Sequence, residues 1–600
     1  MESKQHLESS DDLRSAAPLQ HVQTVELPGP IELELGDQLP VVEVAYETYG
    51  QLNEARDNAV LICHALSGDS HVARHDEADE PGWWDAMVGP GRYIDTDKYF
   101  VICNNCLGGC RGTTGPGSKN PATGRPYGQD FPTITIGDMV EVQRRLIDKL
   151  GIEKLLAVVG GSMGGHQALR WGTRLSDRVK GVVAVATSPR VSSQALAFDI
   201  VGRNAILHDP NFNEGQYYSS DQKPGVGLAI ARMIGHITYL SRESMRQKFE
   251  ADRHKPRDVP VEFEKRFSVG SYLGYQGAKF VDRFDANSYI AISMAMDLFD
   301  LGANRAELIE SVRHSRCKWL VVSFSSDWLF SPAESREMVQ ALIHAGKDVS
   351  YCNVESDGGH DSFLLPEAMD VYGGMAEGFV SNLAGEDNSP RLAEALKPSP
   401  GSIFQTGRID FDHVLELIAP SSSVLDLGCG NGLLLEQLRQ LGHKRLMGVE
   451  LSEQAILTCV RRGLNVIQAD LNDWKGRFDD SQFDVVVLSR TLQAVRDVEG
   501  VVDEMLRVGR QGIVTFPNFA YYKLSKMLLE QGRAPDAGLL HHRWYNSPNI
   551  RFFSILDFQE FCSRKGITIQ RCIGLNTEAG MEVTEDINRQ ADMAIVSVSR

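Results

Sequence analysis

Ser162 lies among glycines, in Gly160-Gly161-Ser162-Met163-Gly164-Gly165, after the apolar run 155–159 and ahead of a helix-like segment from His166 to Leu175. A serine at a tight strand-to-helix turn projects its hydroxyl out of the sheet. The N–H groups opening the helix then face the place where an oxyanion would form. Such a nucleophile needs a base, and the base needs a carboxylate to hold its tautomer; in this fold they follow in the order Ser, Asp or Glu, His. The apolar run 319–322 leads to Asp327, and the strand-like run 349–354 leads to His360. Alone, Asp327 reads equally as a cap for the helix after Ser331-Pro332, and His360 as a solvated loop histidine. With Ser162 they form a candidate triad. The run 58–63 enters His64-Ala65-Leu66-Ser67-Gly68-Asp69, and the backbone N–H groups of Leu66 and Met163 are the expected oxyanion donors.

Short apolar runs alternating with helical segments predict a parallel sheet carrying these residues on loops past its strand ends, an α/β-hydrolase fold. More than a hundred residues separate the elbow strand from Asp327, too many for one crossover helix. An inserted helical lid over about 190–313 is expected, with helical stretches such as 225–245 roofing the serine against water. A basic run (Arg242, Arg246, Lys248, Arg253, His254, Lys255 and Arg257) is either a solvated face or a contact for coenzyme A phosphates.

Longer motifs carry a resemblance. They are His64-Ala65-Leu66-Ser67-Gly68-Asp69-Ser70-His71, Gly82-Trp83-Trp84-Asp85, Leu107-Gly108-Gly109-Cys110-Arg111-Gly112-Thr113-Thr114-Gly115-Pro116 and Ala231-Arg232-Met233-Ile234-Gly235-His236. From about His21 to about Leu383 the chain resembles the homoserine O-acyltransferases of methionine biosynthesis, the MetX family. The resemblance implies a two-step transfer through an acyl-Ser162, with L-homoserine as acceptor. Arg232 would hold its carboxylate and Asp361 its ammonium. Members using succinyl-coenzyme A resemble one another in an arginine two positions after the catalytic Asp. Here that position is Leu329, and an unpaired buried succinyl carboxylate would be costly, which points to acetyl-coenzyme A. A succinyltransferase and an esterase-type serine hydrolase are the alternatives.

A second chemistry begins past a polar, Pro-bearing linker at 385–403. Ser423-Val424-Leu425-Asp426-Leu427-Gly428-Cys429-Gly430-Asn431-Gly432 reads as a buried strand feeding a Gly-rich turn and a helix, a cradle for a nucleotide-like ligand. Asp426, Gly428, Gly430 and Gly432 would line it, with Glu450 on the ribose hydroxyls and Asp470 on the adenine side. The set resembles the S-adenosylmethionine-dependent, Rossmann-like class I methyltransferase fold. Residues from about Arg408 to Gly580 resemble MetW, through Phe483-Asp484-Val485-Val486-Val487-Leu488-Ser489-Arg490, Phe516-Pro517-Asn518-Phe519 and Trp544-Tyr545-Asn546-Ser547-Pro548. The Asn/Asp-Pro-Pro-Tyr signature that orients planar amines is missing after the Val485 to Leu488 strand. A cofactor-sensing partner of the acyltransferase and a true methyltransferase are both open, the first preferred. One chain would make the halves stoichiometric and raise their local concentration.

The division expected for these 600 residues is a tail at 1–20, an acyltransferase domain at 21–384, the linker, and a MetW-like domain at 404–600. A formal charge of −19 argues against a nucleic-acid partner. No apolar run is long enough to span a membrane, and Met1 to Pro18 lacks an apolar signal-peptide centre. Ten cysteines in strand-like or loop contexts suit reduced thiols in the cytoplasm. Cys103, Cys106 and Cys110 lack a fourth partner for a structural zinc, so no metal is expected. The family resemblance implies a homodimer.

Overall fold

A computed structural model of the chain describes residues 18–250, 267–386, 408, 410–535 and 544–600. The expected tail up to residue 17, the basic residues Arg253 to Arg257 and most of the linker lie outside the described residues. The described residues up to Glu386 form one compact unit and those from Arg408 a second.

In the first unit the main sheet comprises β1 (Gln23–Leu27), β2 (Val42–Tyr49), β3 (Ala59–Cys63), β4 (Phe100–Asn104), β5 (Leu155–Gly161), β6 (Val179–Val185), β7 (Lys318–Phe324) and β8 (Val349–Val354). Their spatial order is β1-β2-β4-β3-β5-β6-β7-β8. β1 and β2 are antiparallel to their neighbours, and from β4 to β8 every pairing is parallel. Parallel strands covered on both faces need side chains that tolerate burial throughout. β3 and β5 are accordingly buried at every position. The carboxyl ends of β3, β5, β7 and β8 release the loops that carry Leu66, Ser162, Asp327 and His360, the edge where α/β sheets bind ligands.

Helices α1 (Ile136–Lys149) and α2 (Met163–Arg174) belong to the sheet layers. The expected lid contains α3 (Ser193–Leu207), α4 (Gly225–Tyr239), α5 (Arg242–Phe249), α6 (Ser268–Arg283), α7 (Ala286–Asp297) and α8 (Arg305–Val312). The stretch 225–245 is not one helix. Leu240 is extended (φ −92°, ψ 140°), Ser241 accepts the Ser244 N–H to cap α5, and Trp328 Nε1 donates to Leu240 O at 3.0 Å. After β7, α9 (Pro332–His344) is capped by Ser331 and Glu334 in a capping box, which leaves Asp327 outside the cap. α10 (Pro366–Ala384) follows His360.

A buried ion pair ties β2 to the loop after the Leu66 segment. Glu47, fully buried, accepts from His71 Nδ1 (2.9 Å), Tyr49 OH (3.1 Å) and Ser70 Oγ (3.0 Å), while His71 Nε2 donates to Glu80 O (2.8 Å). His75 and Asp79 adjoin this network, and with His21 their ligand atoms lie within 4.8 Å of one another. Burial alone would strip the His71 proton, but the bonds to Glu47 and Glu80 and the charges of Glu47 and Asp79 hold it up to about 9. The folded protein thus binds this proton more tightly than the unfolded chain, whose ordinary value is 6.5. The resulting stabilisation is complete below pH 6.5 and is lost as pH rises through about 9. Melting temperature should fall over that window, with a flatter dependence in His71→Gln; equal slopes in the two proteins would remove His71 as the cause.

The second unit is built on β9 (Val424–Leu427), β10 (Leu446–Glu450), β11 (Val466–Gln468), β12 (Phe483–Ser489), β13 (Gly509–Pro517), β14 (Thr568–Asn576), β15 (Met581–Val583) and β16 (Met593–Ser599). Their order is β11-β10-β9-β12-β13-β16-β14-β15. The strands from β11 to β13 are mutually parallel, and β16 is inserted antiparallel beside β13. Strand order reverses between β9 and β12, the switch point at which such sheets open a crevice.

Candidate active site

Ser162 joins β5 to α2 with φ 57° and ψ −124°, a conformation that L-residues adopt only when the surroundings force it. The glycines around it follow from the close approach of neighbouring chain. A Cβ on Gly164 would lie 2.0 Å from Cys63 O, and one on Gly160 would lie 2.1 Å from Gly164 O. The turn therefore packs directly on the end of β3, beside the Leu66 loop.

Ser162 Oγ lies 2.9 Å from His360 Nε2, and His360 Nδ1 lies 2.8 Å from Asp327 Oδ2. Asp327 Oδ1 accepts the N–H groups of Leu329 and Phe330, both at 3.0 Å, so the carboxylate is fixed in orientation. The three residues are 7 %, 2 % and 3 % exposed, in the order Ser162, His360, Asp327, so the relay sits out of bulk water. Burial disfavours the His360 imidazolium, but the charge and hydrogen bond of Asp327, joined by the charge of Asp361, outweigh it and hold its pKa above the ordinary value. The relay can take a proton from Ser162 and return it to a leaving group.

Met163 opens α2, where first-turn N–H groups have no carbonyl one turn earlier. Leu66 is buried in the loop after β3. Arg232, on α4, is 5 % exposed, with its guanidinium 4.8 Å from the Phe280 ring centroid and 5.8 Å from that of Tyr239. The Tyr239 ring in turn lies 5.9 Å from the His360 ring, which brings Arg232 to the edge of the relay. Tyr239 belongs to the same sequence motif as Arg232, which runs on to Ser241, but the sequence alone assigned it no role. Asp361 adjoins His360 in the chain and lines a cavity of about 170 Å³ with Leu240, Ser244, Lys248, Asp357 and Glu367. Leu329 is half-buried, two residues from Asp327, with its N–H held by that carboxylate.

In the second unit, Gly428, Gly430 and Gly432 all have positive φ (71°, 54° and 76°), and a Cβ on Gly428 would lie 2.6 Å from Thr491 Oγ1. Asp426, at the end of β9, is 2 % exposed, and its Oδ1 has no hydrogen-bond partner among the described residues. Burial raises its pKa, the Arg408 charge lowers it and that of Glu450 raises it, for a net value of about 7. A buried carboxylate oxygen without a donor suits a ligand that brings one. Glu450 is pinned by the N–H of Gly430 (2.8 Å) on one oxygen and those of Leu451 and Ser452 (2.8 and 2.9 Å) on the other. A glycine cradle flanked by these two carboxylates fits a nucleotide-like ligand. Asp470 lies exposed beyond β11, accepting from Asn472 N and Asn472 Nδ2 at 2.8 Å each. Past β12, Arg490 is held at φ 50° and pairs with Asp410, which also takes Arg408. Nothing in the local sequence signals that cluster, because its members come from different elements.

The first unit is thus an α/β-hydrolase fold with a buried serine–histidine–aspartate relay, and the second has the strand order of a class I methyltransferase. Residues 58–366 match the family described as the alpha/beta hydrolase fold, and 408–597 match methionine biosynthesis protein MetW. The bifunctional methionine biosynthesis protein MetXA/MetW of Rhodopirellula baltica is 49 % identical over 100 % of this chain and 96 % of its own length. The chain belongs to that MetXA/MetW family. A homoserine O-succinyltransferase of Acidithiobacillus ferrooxidans is 50 % identical over 57 % of this chain and 91 % of its own. Among solved structures, homoserine O-acetyltransferase from Bacillus anthracis superposes with a TM-score of 0.54 at 29 % identity, covering 60 % of this chain and 98 % of that one. Esterase E22 gives 0.55 at 31 %, covering 60 % and 99 %.

Proposed function

We propose that the first unit transfers the acetyl group of acetyl-coenzyme A to the side-chain hydroxyl of L-homoserine through an acetyl-Ser162 intermediate. The observation that carries this reading is the unbroken chain of contacts from Asp327 through His360 to Ser162. Ser162 gives its proton to His360 Nε2 while its oxygen attacks the thioester carbonyl. The N–H groups of Leu66 and Met163 receive the oxyanion. The C–S bond breaks and the His360 proton goes to the departing sulfur, leaving free coenzyme A and acetyl-Ser162. L-Homoserine then gives its hydroxyl proton to His360, its oxygen takes the acetyl carbon, and the proton returns to Ser162 as that ester bond breaks. Arg232 takes the acceptor's carboxylate, which its place beside the Tyr239 ring supports, and Asp361, next to the base, takes the ammonium.

Leu329 supports the acetyl donor, since the position offers no cation to a succinyl carboxylate. Leu329→Arg should raise succinyl-coenzyme A use relative to acetyl-coenzyme A; an unchanged rate ratio would sink the assignment. An esterase would share the triad, as esterase E22 shares the fold. Thiol release from acetyl-coenzyme A, measured with and without L-homoserine, separates the two: release that ignores homoserine and yields no O-acetyl-homoserine would decide for the hydrolase.

The second unit binds S-adenosylmethionine through Asp426, the three glycines and Glu450, with Asp470 on the adenine side. When bound, the cofactor supplies an activated methyl group on sulfur. The missing Asn/Asp-Pro-Pro-Tyr signature after β12, where Arg490 pairs with Asp410, favours an accessory binding role. Binding without consumption of the cofactor is the expected result. The protein acts in the cytoplasm as a homodimer, and exposed apolar residues on the lid, including Ile200, Val201, Val226 and Ile230, support a subunit contact there.

A further inference from the structure

Beside the Leu66 loop lies a cavity of about 190 Å³ lined by cations from three separate segments. Arg111 comes from the loop after β4, Lys223 from just ahead of α4 and Arg283 from the end of α6. Arg283 Nη1 donates to Ser67 O at 2.8 Å, on the residue after Leu66, and Arg111 Nε lies 3.4 Å from Asp69 on the same loop. The cavity therefore abuts the segment assigned to the oxyanion. Leu228 also lines it, one helical turn before Arg232 on α4.

Two carboxylates, Asp282 and Asp285, share the lining. Asp282 is exposed. Asp285 is engaged, accepting from the hydroxyls of Tyr217 (2.7 Å) and Tyr218 (2.9 Å) and from Ser288 N (2.9 Å). The cup thus presents three cations, of which Arg111 is paired with the buried Asp69, beside one solvated acid and one whose oxygens are occupied. The cavity at Asp361 has the opposite character, with Asp357, Asp361 and Glu367 against Lys248. The basic run on α5 is no better placed, since Arg246 pairs with Glu243 of its own helix and Lys248 lies over the Tyr272 ring.

We propose that Arg111, Lys223 and Arg283 bind a phosphate group of the acyl-coenzyme A donor. The proposal rests on the acyl-transfer reading above and locates the donor's anionic handle. Guanidinium groups and an ammonium suit the several acceptor oxygens of a phosphate, which the pantetheine arm of the donor holds well away from the thioester. The carboxylate of a succinyl donor would offer the same anion chemistry, so the test separates the two sources.

Thiol release by the full chain would be measured for wild type, Lys223→Glu and Arg283→Gln. The donors are acetyl-coenzyme A, S-acetylpantetheine, which keeps the thioester but lacks the phosphates, and succinyl-coenzyme A. The preference in kcat/KM for acetyl-coenzyme A over S-acetylpantetheine should fall about tenfold in Lys223→Glu, and in the same direction in Arg283→Gln. An unchanged preference in Lys223→Glu, at an exposed position, would overturn the site. A loss confined to succinyl-coenzyme A would overturn it too, by assigning the cup to the acyl carboxylate. Thiol release is legible with homoserine or water as acceptor, so missing homoserine dependence would count against the acyltransferase reading while the donor preference still decides the phosphate site.

Discussion

Replacing Ser162 with alanine is expected to lower homoserine-dependent thiol release about 10⁶-fold. The turn that presents this oxygen is strained, and the side chain makes the one reacting contact with His360 Nε2, at 2.9 Å. Alanine removes the nucleophile and leaves the loop and oxyanion donors in place. Residual turnover should reflect positioning alone. Because serine and histidine act as one unit, the double variant Ser162→Ala/His360→Ala should be hardly slower than either single variant. Single-turnover release of coenzyme A, with circular dichroism to show an unaltered fold, checks both statements. Losses that add in the double variant would mean that His360 serves another nucleophile.

Asp327→Asn is expected to lower kcat about 10⁴-fold. The geometry gives the cause. Asp327 Oδ1 accepts from Leu329 N and Phe330 N, which commits that position to an acceptor, so the asparagine oxygen must take it. The amide nitrogen then faces His360 Nδ1, where the carboxylate Oδ2 now stands at 2.8 Å. A donor there forces Nδ1 to accept, which places the ring proton on Nε2, the nitrogen that must be bare to take the Ser162 proton. The pH profile carries a second signature. His360 must be neutral to act, and Asp327 holds its pKa above the ordinary 6.5, so wild-type kcat/KM should rise with pH through a midpoint above that value. Asp327→Asn removes the anion and should move the midpoint to lower pH. A variant profile coincident with wild type would remove Asp327 as the source of the shift.

The local features of this chain were legible because local rules produce them. Glycines around a serine after an apolar run are by themselves also an ordinary turn, and Asp327 and His360 following in order made them a site. Ser331-Pro332 marked the start of α9, while the part of Glu334 in its cap came only with the structure. What escaped reading was produced by contacts between distant segments. The run 225–245 has helical periodicity throughout, and its break at Leu240 joins a local cause, the Ser241 cap of α5, to a distant one, the Trp328 indole N–H that donates to the Leu240 carbonyl. The cationic cup joins Arg111, Lys223 and Arg283, which sequence spacing cannot bring together. The basic run from Arg242 was visible because its members are neighbours in the chain, and a solvated face was the commoner reading for it. Asp470 follows its strand as expected, but its environment is solvent, which residue type alone does not reveal. Leu329 stands differently: its bearing on the acyl group came from the family resemblance and not from the triad, and the fold adds that its N–H and that of Phe330 bond the Asp327 carboxylate.

The most direct test of the account is the intact mass of the full chain mixed with acetyl-coenzyme A in the absence of acceptor, followed by a chase with L-homoserine. The account predicts a gain of one acetyl unit on Ser162, absent in Ser162→Ala, discharged by homoserine with the appearance of O-acetyl-homoserine. An unmodified chain that still forms O-acetyl-homoserine when both substrates are present would contradict it, since the acetyl group would then pass directly between them without resting on the serine.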